Sequence, residues 1–199
     1  MKKKRSTALR VVLAAAVAVG ACAAPAVATP NGAQQATGEA KPAEPPTASA
    51  ADVASVDAIV KAVYDVISGP AGKKRDWNRM RSLFIPEAKM MATGKRPDGM
   101  MGKRVMDVEG YITSSGPFLE EKGFFESEIA RRVEQFGSVA HVWSTYEARN
   151  KADDAKPFMR GINSIQLWND GKRWWVVSIY WQAESAETPL PEKYQSSPR

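Results

Sequence analysis

The sequence predicts an α+β fold in which N-terminal helices pack on one strongly curved antiparallel sheet, so that the domain has the shape of a cone. Two observations predict it. Apolar residues recur at three- and four-residue steps from Val53 to Ile67, which indicates an amphipathic helix. Residues 124–184 hold four segments rich in β-branched and aromatic residues, separated by three turns. The strongest turn signal is Asp170-Gly171, because both residues accept the positive φ angles of a two-residue hairpin.

The N-terminus predicts export. A basic stretch, residues 2–5, precedes an apolar core that is too short to span a bilayer. We therefore interpret residues 1–28 as an export signal with two possible exits. Cleavage before Cys22, which ends a lipobox-like sequence, makes Cys22 a lipidation site, and cleavage after Ala28 removes it. The expected product is a periplasmic or outer-membrane-anchored lipoprotein, or a secreted protein, with no membrane contact except the lipid on Cys22.

Charge and composition exclude several classes. The net charge is +6, but five of the basic residues lie in the signal, which has no acidic residue, so the remainder is nearly neutral. A neutral domain has no electrostatic footprint for nucleic acid, and we expect none as a partner. With one histidine and no cysteine besides Cys22, the usual zinc and copper sites cannot form. We expect no metal and no cofactor.

The elements before the sheet can be read in order. Residues 29–51 lack aromatic residues and are rich in Ala and Pro, which predicts a disordered linker. The first helix begins near Asp52 and ends at Ser68-Gly69-Pro70. A basic loop, residues 72–75, is interpreted as a solvated turn, and Asp76 is placed to cap a short second helix.

A first strand is predicted at residues 88–93, and a glycine-rich mobile loop at residues 94–104. A third helix is predicted at residues 108–121, kinked or split by Gly116-Pro117. The domain then covers residues 52–186, and residues 187–199 form a C-terminal tail.

Several segments resemble a known superfamily. They read DWNRMRSLFIPEA, GFFESEIARRVEQFGSVAHVWSTYEAR, RGINSIQLW and RWWVVSIYWQAE. Together they are similar to the NTF2-like superfamily, above all to bacterial "nuclear transport factor 2 family" and SnoaL-like proteins of unknown function. The resemblance implies the cone fold. It implies no single activity, because the superfamily includes ketosteroid isomerases, scytalone dehydratase, limonene epoxide hydrolase, polyketide cyclases and modules that only bind or dimerise. The tyrosine and acidic residues of the isomerases cannot be mapped onto this chain residue by residue.

The hairpin at Asp170-Gly171 sets the strand faces. It places Asn163 opposite Ser178 and Arg160 opposite Trp181 if no bulge intervenes. One face is interpreted as concave, and among the residues it carries are Ser144, Tyr146, Arg160 and Trp181. Among those on the opposite face are Glu126, Glu128, His141 and Asn163.

His141 and Glu128 are the catalytic candidates. Histidine is the side chain whose ordinary charge change falls near neutral pH. His141, the one histidine, could therefore act as a general acid or base in the cone, with Glu128 or Glu134 on the neighbouring strand. The alternative is a histidine hydrogen-bonded within the sheet or in a dimer interface. Ser144 projects from the opposite face, so a Ser–His pair is not expected. Glu126 and Glu128 share a face, as paired carboxylates or as a solvated surface.

The ligand-binding candidates are Tyr146, Arg160, Asn163 and Trp181. An arginine between aromatic walls could hold a carboxylate or enolate with its forked donors. The alternative is an arginine that pairs with Glu147 or Glu184 at the edge of the sheet.

The aromatic sheet favours a small apolar or amphipathic ligand, bound in the cone of a homodimer. One alternative is an isomerase, lyase or hydrolase of a steroid- or polyketide-like substrate in the same pocket. Another is a dimerisation or interaction module without an open pocket. An enclosed cavity lined by at least one desolvated acid or histidine favours an enzyme, whereas an entirely apolar cavity favours carriage. Filling of the cavity by Trp and Met side chains favours the interaction module.

Overall fold

Four helices and six strands lie in the part of the chain that the structure describes, residues 44–196 of a computed structural model. The elements are α1 (Ala50–Val53), α2 (Val56–Ile67), α3 (Trp77–Leu83), β1 (Phe84–Lys95), β2 (Met101–Met106), α4 (Val108–Lys122), β3 (Phe125–Phe136), β4 (Val139–Arg149), β5 (Met159–Asn169), β6 (Trp174–Ala183) and a 3₁₀ turn (Glu192–Tyr194). The export signal with Cys22 and most of the linker lie outside the described residues. No helix within residues 44–196 is long and apolar enough to cross a membrane.

The first predicted helix is divided in two. Ser55 interrupts it with an extended backbone, and its side chain accepts a hydrogen bond from the Ala58 amide at 3.1 Å, which starts α2 anew. The apolar stripe of α2 is buried, with Ile59 and Val60 fully inaccessible. The stripe therefore fixes the face that packs on the sheet, while the cap fixes where the helix begins.

Helices α3 and α4 begin at capping aspartates. The Asp76 side chain accepts from the Arg79 amide at 2.9 Å, which confirms the predicted cap. Helix α4 runs without a break through Pro117, so the predicted split is wrong. Gly116 lies against the ring of Trp77, where an added Cβ would approach a ring carbon to 3.2 Å. The glycine thus allows α4 to pack closely against Trp77.

Six strands form one sheet in the order β2-β1-β6-β5-β4-β3. All neighbours are antiparallel except β1 and β6, which are parallel. The predicted loop at residues 94–104 is wrong, because Gly94 and Gly102 pair across a β1–β2 hairpin whose turn spans residues 96–100. The predicted α+β fold, with helices on one face of a curved sheet, is confirmed.

Two register shifts decide which side chains face the helices. Ile129 is an extra residue in β3, between the pairs formed by Glu128 and Ala130, and Val177 is an extra residue in β6. We call the face that packs on the helices the inner face and the opposite one the outer face. Asn169 pairs with Trp174, so the turn is two residues longer than predicted, and the bulge at Val177 adds one further step. Asn163 therefore lies opposite Trp181 rather than Ser178. The faces predicted for β5, and for β3 before Ile129, are therefore reversed.

The loop interpreted as a solvated turn instead buries Arg75, which is 6% exposed. Its guanidinium donates to the carbonyl oxygens of Ile67 at 2.9 Å, Gly69 at 2.6 Å and Leu119 at 2.8 Å. A fourth bond joins it to the Lys73 carbonyl at 2.5 Å. One planar donor group therefore ties the end of α2 to α4, satisfying carbonyls that helix ends leave unpaired.

Candidate functional site

Polar side chains meet on the inner face between helix α2 and strands β3, β4 and β5. We call this group the cone cluster, and it consists of Tyr64, Glu126, Glu128, Ser144 and Asn163. Ser144 pairs with Asn163 across β4–β5, so the two share a face. The bulge at Ile129 turns Glu126 and Glu128 to that same face, and Tyr64 reaches them from α2. The cluster is polar where the surrounding core is apolar.

One hydrogen-bonded chain runs through the cone cluster. Asn163 Nδ2 donates to Glu126 Oε1 at 3.1 Å and to Tyr64 Oη at 3.1 Å. Tyr64 Oη lies 2.6 Å from Ser144 Oγ, which in turn donates to Glu128 Oε1. Each member is thus held in place by at least one other, which fixes the position of both carboxylates.

The two carboxylates have different electrostatic partners. Glu128 accepts from Arg131 Nε at 2.7 Å, and Arg131 Nη1 also contacts Asp57 at 2.5 Å at the surface. Glu126 takes part in no salt bridge among residues 44–196, and its carboxyl accepts one described hydrogen bond, from Asn163. The charge of Glu128 is therefore compensated, whereas a charge on Glu126 has no cation beside it.

Burial raises the pKa of Glu126 to about 7, although the Asn163 hydrogen bond acts in the opposite direction. The residue is nevertheless only half-buried, so part of it remains accessible. A carboxyl with this pKa exchanges its proton readily near neutral pH, which is the property of a general acid or base.

Three tyrosines surround this carboxyl. Burial raises the pKa of Tyr64, Tyr111 and Tyr146, and the negative charge of Glu126 raises each of them further. All three hydroxyls therefore stay protonated and can donate hydrogen bonds at neutral pH. The cone thus combines one proton acceptor with several neutral donors.

Tyr146 differs from the other two tyrosines. Its Oη is buried and has no hydrogen-bond partner within the described residues. The hydroxyl lies over Gly161, where a Cβ would come within 2.6 Å of it, so only glycine leaves room for it. Trp181 closes the apolar side of this region, and its ring meets that of Tyr111 edge-on at 6.2 Å.

The structure brings three of the four predicted ligand-binding residues together on the inner face, namely Tyr146, Asn163 and Trp181. Arg160 is the exception. It lies on the outer face opposite Glu147, and its Nη1 is 3.8 Å from Glu184. The predicted placement of Arg160 on the concave face is wrong, because the bulge at Val177 reverses the face of β5 relative to Trp181. The contact with Glu184 agrees with the alternative of an ion pair at the edge of the sheet.

His141 and Glu128 are not brought together. His141 lies on the outer face, where its Nε2 is 3.0 Å from Ser164 Oγ and its ring meets Trp143 edge-on. Glu128 lies on the inner face. Successive residues of β4 alternate between faces, and His141 is three residues from Ser144, which lies on the inner face. The prediction of His141 as a general base within the cone is therefore wrong.

Sequence reasoning missed Tyr64, Tyr111 and the role of Glu126. Tyr64 follows Val60 by four residues and so continues the buried stripe of α2. That spacing could have shown that its hydroxyl points at the sheet. Glu126 was singled out, but its face depends on the bulge at Ile129, which nothing in the local sequence marks.

No metal centre is evident in the described part of the chain, where His, Cys, Asp and Glu side chains nowhere group in threes. No family model matches the chain, and no curated protein matches it.

Several solved structures are similar. One is a protein of unknown function with a cystatin-like fold from Nostoc punctiforme PCC 73102, at 10% identity and a TM-score of 0.49, covering 66% of this chain and 90% of that one. An NTF-2 like protein of unknown function from Silicibacter pomeroyi DSS-3 has 17% identity, a TM-score of 0.46 and coverages of 66% and 94%. LinA has 11% identity, a TM-score of 0.49 and coverages of 70% and 89%. The architecture itself, helices packed on one face of a six-stranded, mostly antiparallel curved sheet, is the NTF2-like α+β cone.

Proposed function

We propose that this protein binds a small apolar or amphipathic molecule in its cone and transfers a proton to or from it with Glu126. The observation that carries the proposal is the Glu126 carboxyl, which has a pKa near 7, no cationic partner among the described residues, and buried tyrosine hydroxyls around it. A desolvated acid in the cone favours an enzyme over a simple carrier. A structural core gains nothing from such a group.

The reaction class that these groups suit is isomerisation of a carbonyl compound. The Glu126 carboxylate takes a proton from the carbon next to the carbonyl, and the electron pair moves onto the carbonyl oxygen. The Tyr146 hydroxyl, which lacks a partner, donates a hydrogen bond to that developing oxyanion. Protonated Glu126 then returns the proton to a different carbon, so that no co-reactant is consumed.

The apolar surroundings suit a steroid- or polyketide-like substrate. Trp181 and Met159 pack against the core beside the polar cluster. The guanidinium of Arg131 already pairs with Glu128. The cone cluster therefore offers an anionic substrate no unpaired cation among the described residues. A largely apolar molecule with one carbonyl matches these contacts.

The test follows deuterium uptake and double-bond migration by NMR, with a steroid β,γ-unsaturated ketone and a simple β-diketone as probes. We expect the wild type to catalyse exchange of at least one probe with an apparent pKa near 7. Glu126→Gln should lower the rate by roughly a hundredfold or more. His141→Ala, on the outer face, is the matched control and should retain the wild-type rate. Exchange that is absent in the wild type, or unaffected by Glu126→Gln, would overturn the proposal.

A second role, self-association through the outer face, is favoured by one specific observation. Phe136, Val139 and Trp168 meet at one end of that face and are 88%, 55% and 40% exposed. Exposed neighbouring apolar side chains of this size are typical of a protein contact. We therefore also propose a homodimer through this patch. Analytical ultracentrifugation should show a dimer for the wild type and a monomer for Trp168→Glu.

Export remains part of the proposal. The sequence alone supports it, through residues 1–28 and the lipobox-like Cys22. Mass spectrometry of the protein from its native cell envelope should find either an acylated Cys22 or a chain that begins at Thr29. An intact N-terminal signal would contradict export.

A further inference from the structure

A cavity of about 420 Å³ lies beneath the C-terminal tail, lined largely by the outer face of the sheet. Residues 188–194, which we call the C-terminal strap, form its roof. Its apolar walls come mainly from Trp143, Ile162, Tyr180, Trp181, Leu190 and Tyr194. The volume and the aromatic lining are those of a site for a small molecule.

The strap is fixed to the sheet by specific bonds. Thr145 Oγ1 donates to the Tyr194 carbonyl at 2.6 Å, and Arg132 Nη2 donates to the Lys193 carbonyl at 2.5 Å. Leu190 is buried, and its amide donates to Glu184 Oε1 at 3.0 Å. The cavity therefore has a defined roof.

The walls favour a neutral ligand. Among the described residues that line the cavity, Glu184 is the one with a charged side chain. Its carboxylate accepts the Leu190 amide and lies 3.8 Å from Arg160 Nη1, so its charge is already compensated. A charged ligand would lose its hydration without gaining a counter-ion.

Trp143, which lines the cavity, has a ring nitrogen without a described partner. The ring nitrogen of Trp143, Nε1, is buried and makes no hydrogen bond among the described residues. Its ring lies between those of His141 and Tyr194, at 5.9 and 5.8 Å. Buried tryptophan N–H groups usually have an acceptor, and residues 44–196 supply none here.

We propose that this cavity binds a neutral, planar, largely apolar molecule with one hydrogen-bond acceptor, and that the acceptor bonds to Trp143 Nε1. The aromatic walls hold the planar body, and the acceptor gives the indole N–H the partner that it lacks. This site uses no residue of the cone cluster, and of the residues named for the proton-transfer proposal it shares Trp181.

The probe is Prodan, a neutral naphthalene ketone whose emission reports polarity and hydrogen bonding. The full chain should bind it with a blue-shifted emission, and the Trp143 indole N–H resonance should move in the heteronuclear NMR spectrum. Trp143→Phe keeps the aromatic wall and should weaken binding roughly three- to tenfold. Ile162→Trp should fill the cavity and abolish binding. Glu126→Gln, which alters only the cone, should bind as the wild type does.

Two results would overturn the proposal. One is a Trp143 resonance that does not move while Prodan binds. The other is equal affinity in the wild type and Ile162→Trp, with thermal unfolding showing that the variant is folded. Loss of binding in Glu126→Gln would place Prodan in the cone, which also contradicts this site. If Trp143→Phe does not fold, Tyr194→Ala removes one wall and should weaken binding in its place.

Discussion

Arg75 is buried and Glu126 is half-buried, and the domain treats these two charged side chains in opposite ways. Arg75 finds carbonyl oxygens at Ile67, Gly69, Lys73 and Leu119, all within 2.9 Å. The carboxyl of Glu126 accepts a single described hydrogen bond, from Asn163 at 3.1 Å. The charge of Arg75 is therefore fully hydrogen-bonded by the protein, whereas that of Glu126 is not.

The difference separates a structural role from a chemical one. Burial lowers the pKa of Arg75, but a guanidinium keeps its proton at any physiological pH, so its bonds are permanent. Burial instead brings the pKa of Glu126 to about 7, where the proton comes and goes. A group whose partners are complete holds the fold together, whereas a group left short of partners remains available to a ligand.

Removing the structural charge should have the largest effect. Arg75→Ala leaves several buried carbonyls without a donor, and we expect a loss of about 3–5 kcal/mol in the free energy of unfolding. Urea denaturation measures it. Arg81→Ala is the matched control, because Arg81 pairs with the exposed Glu109 and should cost at most about 1 kcal/mol. Equal losses for the two variants would show that the Arg75 bonds are not what holds α2 to α4.

Removing the other charge should stabilise the protein at higher pH. The pKa of Glu126 is 4.5 in its ordinary state and about 7 when folded, so the unfolded chain loses its proton first as pH rises. The free energy of unfolding should therefore fall between pH 4.5 and pH 7, by about 3 kcal/mol. Glu126→Gln should lack this fall and exceed the wild type in stability above pH 7. The free energy of unfolding is measured by urea denaturation at a series of pH values. If it changes with pH equally in the wild type and in Glu126→Gln, the raised pKa of Glu126 is contradicted.

The hydrogen bond from Asn163 to Glu126 can be removed without changing Glu126 itself. Asn163→Ala takes away the donor to Glu126 and to Tyr64, which should cost about 1–2 kcal/mol. It should also move the pKa of Glu126 further upward, because that bond favours the charged form. Carbon-13 NMR of the labelled carboxyl follows the titration. A pKa that falls in the variant would show that water replaces Asn163 at the site.

Much of the fold could be predicted from the sequence because its signals are local. The stripe of α2, the Asp76 cap and the turn at Asp170-Gly171 each specify their own element. The β2 strand could not be predicted, because residues 94–104 have the glycine-rich composition of a loop. Gly94 and Gly102 pair only when the hairpin forms.

The candidate site could be predicted only in part, for a different reason. Its face assignments depend on register, which the bulges at Ile129 and Val177 shift, and neither bulge is marked by a glycine or proline in the local sequence. Tyr146 lies on the predicted inner face. The predicted pairing puts Arg160 on the face of Trp181, but the bulge at Val177 lies in β6 between the turn and Trp181. Asn163 therefore shares the inner face with Trp181, and Arg160 lies on the outer face. The residue with the most unusual chemistry, Glu126, was thus the hardest to place.

The smallest stability effect tests the same contrast within a pair of tyrosines. Tyr64 Oη has partners in Ser144 and Asn163, so Tyr64→Phe should cost about 1–2 kcal/mol. Tyr146 Oη has none in the described chain, so Tyr146→Phe should change the free energy of unfolding by less than about 0.5 kcal/mol, while slowing the proposed proton transfer. Thermal unfolding and the deuterium-exchange assay measure the two effects on the same samples. A Tyr146→Phe loss as large as that of Tyr64→Phe would mean that this hydroxyl already has a partner, such as a buried water, and serves the fold. A hydroxyl whose removal costs no stability but slows exchange is one that the protein keeps for its ligand.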